Sequence, residues 1–270
     1  GFLRYKAITA IEKIRRDHPA ISCPRAVLEA QVVRESSRYY NGLTLQHNLL
    51  RHAPEAVDSL LARALQDKLH RTIDRIYRLL GLLYHVGDVA AARYTIEQGE
   101  ARRRAAAVEY LDNLLGGVVR KRVMPILDDS PLTEKVRYAN AVLKSRPRDL
   151  EDTLAQLVHE DDPVVAAAAI HFVGQRHAWG LSDDLEYVAS HRSDNRIIGE
   201  AVSWALATRH ANGGSLTASI DSLPIVELAD RVRVIPLFAT LSVDELFRIA
   251  EAGEEIRHPA GRELCHAATP

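Results

Sequence analysis

The sequence predicts an all-α chain: an α-α superhelix over residues 1–211, then a short helical and β-hairpin start of a truncated β-roll. Three observations predict it. Apolar residues recur at helical spacing along most of the chain. Alanine-rich stretches recur at similar placement. The 270 residues are 47% hydrophobic but only 6% aromatic. Alanine, leucine and valine must therefore supply most of the core, as close-packed helices require and a β-sandwich does not.

Leu3, Ala7, Ala10, Ile11 and Ile14 form one apolar stripe on a first helix, which Asp17-His18-Pro19 ends. Pro24 suits the first residue of the next, which runs through Val27, Leu28, Val32 and Val33 towards Leu50. Pro54 opens a third, with Val57, Leu60, Leu61 and Leu65 on its buried side. The apolar stretch Ile73, Ile76, Tyr77, Leu79, Leu80, Leu82, Leu83 reads as a central, fully packed helix bounded by Gly81 and Gly87. Gly116-Gly117 reads as a helix C-cap.

An internal repeat joins these helices. Its copies begin Ala101-Arg102-Arg103-Arg104-Ala105, Val136-Arg137-Tyr138-Ala139, Val164-Val165-Ala166-Ala167 and Ile197-Ile198-Gly199-Glu200, and Leu3-Arg4-Tyr5-Lys6-Ala7 fits the same template. After the first, successive starts lie roughly 28 to 34 residues apart, in the period range of helical solenoids. Small residues let paired helices approach closely, so Ala106, Ala168 and Ala201 are expected at buried helix–helix contacts. Asp161-Asp162-Pro163 is a turn and helix start, the usual entry into the second helix of a HEAT-type unit. The pattern predicts a HEAT-like α-solenoid.

After about residue 210 the character changes. Asn212-Gly213-Gly214-Ser215 reads as a flexible break, and a short helix runs from Pro224 through Leu228 to Val232. Ser242 with Glu245 is a capping box opening a helix that Phe247, Ile249 and Ala250 continue. Residues 255–265 read as strand, Pro259-Ala260-Gly261 turn, strand. The expected organisation is solenoid 1–211, linker and short helix 212–235, and a new domain beginning at 236–270.

Lys and Arg number 35 against 36 Asp and Glu, which argues against a dedicated nucleic-acid binder. Cys23 and Cys265 stand too far apart in the chain to suggest a disulfide framework and suggest a reducing compartment, here the cytoplasm. No apolar run reaches the length of a membrane span, and no signal peptide is visible. The chain reads as a piece of a longer protein.

His159, His171, His177 and His191 lack the i, i+4 spacing of a helical metal pair, so no metal or other cofactor is expected. No nucleophile motif or phosphate loop occurs, and the chain reads as non-catalytic. Glu109 and Asp112 lie one helical turn apart and read as a solvated face or partners of Arg75 or Arg78. The basic runs Arg102-Arg103-Arg104 and Arg120-Lys121-Arg122 read as flanking one helix of about fifteen residues. They are a solvated face or a contact with an anionic surface such as lipid headgroups.

Ile235-Pro236-Leu237-Phe238, Leu241-Ser242, Glu245-Leu246 and Pro259-Ala260-Gly261 resemble the opening of a cyclic-nucleotide-binding domain. That family's phosphate cassette would lie further on, so this chain is expected to bind no cyclic nucleotide. Leu3-Arg4-Tyr5-Lys6-Ala7-Ile8, the 75–84 stretch around Tyr77-Arg78-Leu79-Leu80 and the 105–115 stretch leading to Val123-Met124-Pro125 resemble a known region. It is the HEAT-repeat region of bacterial proteins that join an ATP/ADP-translocase-like transporter to HEAT repeats and a cyclic-nucleotide-binding domain. The resemblance implies a scaffold or regulatory coupling module, membrane-associated through other parts of its polypeptide. Its partners would be those parts or another protein. The alternatives are a HEAT-like DNA glycosylase, for which Trp179 and Trp204 would supply aromatics, and a free-standing protein–protein adaptor.

Overall fold

The structure is a computed structural model that describes residues 2–18, 20–192, 194–210, 223–253, 256, 259, 261 and 262. The expected break at 212–215, most of the expected hairpin and Cys265 lie outside these residues. All regular secondary structure among the described residues is helical. The chain divides into two compact units, Gly1–Ala169 and Ile170–Pro270. The division falls inside a helix, Pro163–Gln175.

The first unit holds α1 (Phe2–Asp17), α2 (Arg25–His52), α3 (Leu60–Leu83), α4 (Val86–Gln98), α5 (Ala101–Leu114), α6 (Gly117–Leu127), α7 (Leu132–Leu143) and α8 (Leu150–Val158). The dividing helix, α9 (Pro163–Gln175), follows. In a linear solenoid each repeat touches only its neighbours. Here α2 packs on α3 and also on α6, α7 and α8, so the first unit gathers around one 28-residue helix. Gly42, Leu43, Thr44 and Leu45 are consecutive and all buried. At 100° per residue such a run leaves no face open to water. The polar residues of α2 tolerate this because they bond locally: Ser36 Oγ donates to the Val32 carbonyl at 2.8 Å and Thr44 Oγ1 to the Asn41 carbonyl at 2.9 Å. At Gly42 the helix lies close against α3, where a Cβ would meet Leu69 Cδ2 at 3.1 Å.

The ends of the helices follow from local chemistry. Ser59 caps α3, its hydroxyl accepting from the Ala62 N–H at 3.1 Å, and Pro54–Asp58 is a separate 3-10 turn on which Val57 is exposed rather than buried. The expected apolar helix around Leu79 and Leu80 is the second half of this same α3. Arg15 of α1 donates to the Leu82 carbonyl, satisfying one orphan acceptor at the end of α3. Lys135 Nζ does the same for α6, donating to the Ile126 and Asp128 carbonyls at 2.9 and 2.7 Å. Gly116 and Gly117 part α5 from α6, and the left-handed residue is Gly117, the first of α6 (φ 57°), with Leu115 extended at the C-cap. Asp149 caps α8 through the Asp152 N–H, and Asp162 Oδ1 accepts from Val164 N–H where Pro163 opens α9 as expected.

α1 turns its expected stripe outward. Ile8 is buried and Ile11 half-buried, while Leu3 is 81% exposed, Ile14 46%, and Ala7 and Ala10 are open between them. The repeat copies fall on α1, α5, α7, α9 and the later α11 (Arg196–His210). Ala168 and Ala201 are buried as expected; Ala106 is exposed, and its neighbour Ala107 faces inward.

In the second unit α10 (Ser182–His191) packs on α11, α11 on α12 (Ile225–Val232), and α12 on α13 (Val243–Ala252). The capping box of α13 is present: Ser242 Oγ accepts from the Glu245 N–H, and the Glu245 carboxylate accepts from the Ser242 N–H at 2.8 Å.

Candidate functional site

The two basic runs do not flank one helix. Arg102, Arg103 and Arg104 form the first turn of α5, whereas Arg120, Lys121 and Arg122 lie within α6. The expectation failed because Gly116-Gly117 restarts the helix. Arg120 holds Asp112 in a two-pronged pair at 2.7 and 2.6 Å, and that hydrogen bond lowers the Asp112 carboxyl below its ordinary pKa. Asp112 thus takes Arg120 and not Arg75 or Arg78. Eight residues, about 12 Å of helix, separate Asp112 from Arg104, so the Arg120 end stands apart from the first run. The Arg122 carbonyl accepts from Tyr40 at 2.7 Å and the Lys121 carbonyl from Tyr138 at 2.5 Å, so α6 is tied into the packing at this point. Arg102, Arg103 and Lys121 are exposed; Arg104 and Arg122 are half-buried. Positive charge on the first turn of α5 opposes the helix dipole, which adds to the anion attraction of that end.

The histidines stay apart. His171 is buried in the second unit, its Nε2 2.7 Å from Glu227 Oε2 and its ring 4.9 Å from that of Trp204. The hydrogen bond to His171 lowers the Glu227 carboxyl most, against burial and with help from Arg231, to a pKa of about 2. His177 stacks on Trp179 and His191 on Tyr187. Among the described residues no group of three or more His, Cys, Asp or Glu could hold a metal ion. Among the described residues no helix is long and apolar enough to cross a membrane.

The densest charged constellation in the first unit is one that the sequence reading missed. Glu35, 2% exposed, accepts from Arg75 Nε at 2.9 Å and from Arg38 at 2.7 Å, and Arg4 Nε stands 3.4 Å away. Arg75 also donates to Thr72 Oγ1 at 2.9 Å. One turn and more along α3, Lys68 pairs with Glu160 at 2.7 Å and Arg71 with Asp162 at 3.1 Å. These groups line a cleft of about 310 Å³ bounded by α1, α2, α3 and the 160–162 turn. Only the basic residues at i, i+3 and i+7 on α3, Lys68, Arg71 and Arg75, could have hinted at it. A second relay ties α1, α3 and α4: Arg78 bonds Glu12, Asp74 and Tyr5, and Asp74 also takes Arg93. Burial pushes the Asp74 carboxyl up, but the hydrogen bonds from Arg93 and Arg78 outweigh it and leave it below its ordinary pKa.

Comparison with protein-family models, with characterised proteins and with solved structures gives no match for this chain.

Proposed function

We propose that the chain is a non-catalytic helical scaffold that couples other domains of its own polypeptide, in the manner of the bacterial transporter fusions its sequence resembles. In this reading α5 to α11 carry the HEAT-like repeat, and the segment around Pro236 and Ser242 leads into a cyclic-nucleotide sensor domain. The scaffold works on the cytoplasmic side of the membrane, and α2 gives the first unit a stiff spine against which attached helices can be positioned.

The observation that supports this reading is the open stripe of α1. Leu3, Ala7, Ala10 and Ile14 repeat at four, three and four residues and leave an apolar, small-residue ridge in water. Alanines on such a ridge let another helix approach closely, as at the contacts of stacked helix pairs. An enzyme site would instead need converging reactive groups in a pocket.

The test is a benzophenone amino acid placed at Ala10, or at the exposed Glu109 as a control, in cells expressing the protein. The expected result is a light-dependent crosslink from position 10 to a segment carrying membrane-spanning helices, and none from position 109. Equal crosslinking from both positions, or none from position 10, would overturn the coupling role.

A further inference from the structure

The geometry points to an oxyanion-binding site in the first unit, in the cleft between α1, α2, α3 and the 160–162 turn, built for a small aliphatic phosphate ester or carboxylate. Around its floor three guanidinium groups, Arg4, Arg38 and Arg75, meet the single carboxylate of Glu35. They bring about fifteen N–H donors to a group that accepts about four hydrogen bonds. Thr72 takes one donor more from Arg75. The Nε of Arg4 is buried and has no hydrogen-bond partner. Asn41, also in the wall, accepts from Gln156 Nε2 at 3.1 Å through its side-chain oxygen, and its amide nitrogen is a further donor. Three positive charges against one negative leave this end of the cleft cationic, with one buried donor unanswered, and a planar or tetrahedral oxyanion is the group that such forks bind.

The other end has the opposite bias. Lys68 and Arg71 answer Glu160 and Asp162, and Asp161 adds a third carboxylate to the wall. Lys68 and Arg75 are seven residues apart on α3, so the two ends lie about 10 Å apart. A ligand with its oxyanion among Arg4, Arg38 and Arg75 and a hydroxyl or amine towards Asp161 would satisfy both. Among the described residues no aromatic side chain lines the cleft, so they offer no platform for a nucleobase, and the size suits a small polar molecule. Arg4 and Arg38 are 40% and 37% exposed, so a ligand can reach them from solvent. Because its walls come from three helices and a turn, the bound anion would draw α1 onto α2 and α3. The site stands independently of the scaffold reading.

The test is calorimetric titration of the whole chain with inorganic phosphate and, separately, succinate, at ionic strength held constant with sodium chloride. Saturable binding of at least one probe is expected. Arg38→Gln and Asn41→Ala should each weaken it, the first by about tenfold or more as a charge-assisted bond is lost. Arg102→Gln, outside the cleft, should leave it unchanged, and the helical circular dichroism of every variant should match the parent. Phosphate alone binding assigns the phosphate-ester class, succinate alone the carboxylate class, and both the shared oxyanion chemistry. No saturable binding of either, or binding undiminished by both Arg38→Gln and Asn41→Ala, would overturn the site.

Discussion

Glu35 Oε2 and Arg75 Nε meet at 2.9 Å across the α2–α3 contact, with their side chains 2% and 5% exposed. Removing Glu35 leaves the buried Arg75 guanidinium without a counter-charge, with Thr72 Oγ1 still accepting from it. Glu35→Ala is expected to cost about 3–5 kcal/mol in urea denaturation, more than either charge's surface neighbours would. The paired replacement Glu35→Leu with Arg75→Met should recover part of that loss, since it removes the buried guanidinium, while Arg4 and Arg38, 40% and 37% exposed, can turn to water. A loss below about 1 kcal/mol for Glu35→Ala would show that Arg75 finds another partner.

Glu227 sets the acid limb of the second unit. Its pKa of about 2, held down first by His171 and then by Arg231, lies below the ordinary carboxylate value. The folded state therefore gains stability from this group above about pH 4.5 and loses it as the pH falls towards 2. Circular dichroism followed from pH 6 to pH 2 should show the α9–α12 region melting progressively. Glu227→Gln should flatten that acid dependence while lowering stability at neutral pH; an unchanged acid limb would contradict the assignment.

At Gly174 a Cβ would stand 2.6 Å from Cζ3 of the Trp204 ring. Alanine gains about 1 kcal/mol over glycine within a helix, yet overpacking against a flat ring costs about 1–3 kcal/mol. Gly174→Ala is expected to lower the melting temperature, and Trp204→Leu in the same background to return part of it. A higher melting temperature for Gly174→Ala alone would mean that the ring yields freely.

The alanines of the repeat should separate by one residue. Ala168 is 1% exposed and Ala107 8%, whereas Ala106 is exposed. Leucine at position 168 or 107 should destabilise by about 1–3 kcal/mol, and at position 106 by less than about 0.5 kcal/mol. Thermal melts of the three variants decide it.

The open cations Arg102, Arg103 and Lys121 are expected to carry weak binding to anionic phospholipid vesicles at low salt. Each contributes on the order of 1 kcal/mol near such a surface, and physiological salt screens most of it. Neutralising these three should remove most of the binding. Arg120→Gln should matter less, because Asp112 already answers that charge. Duplex DNA under the same conditions is expected to bind no better than vesicles, and tight DNA binding lost with the same residues would favour the glycosylase alternative.

The helices were legible where the chemistry is local. Pro163 after Asp162, and Ser242 with Glu245, announce helix starts from side chains that bond backbone groups within three residues. The stripe on α1 was legible as a stripe, but periodicity tells only that a helix has an apolar face, not that anything covers it. Ala106 and Ala107 differ by a 100° turn, finer than a repeat template resolves. The cleft was hidden for another reason. Arg4, Arg38 and Arg75 sit on three helices, 34 and 37 residues apart, and each in its own segment looks like part of a solvated face. Glu35 carries no mark in the sequence of the burial that three helices impose on it. The gathering of α6, α7 and α8 on α2 was hidden likewise, since the enclosed run from Gly42 to Leu45 has no period to read.

That gathering has a cost during synthesis. The partners of α2 are complete only when Val158 has emerged, about a hundred residues after His52. At about 5–20 residues per second, the central helix waits on the order of 5–20 s with its future contacts bare. A nascent chain paused before α6 would therefore present an extended apolar surface to chaperones and to other ribosome-bound copies. Slow codons placed within α3 to α5 should raise aggregation, while the same codons after α8 should not.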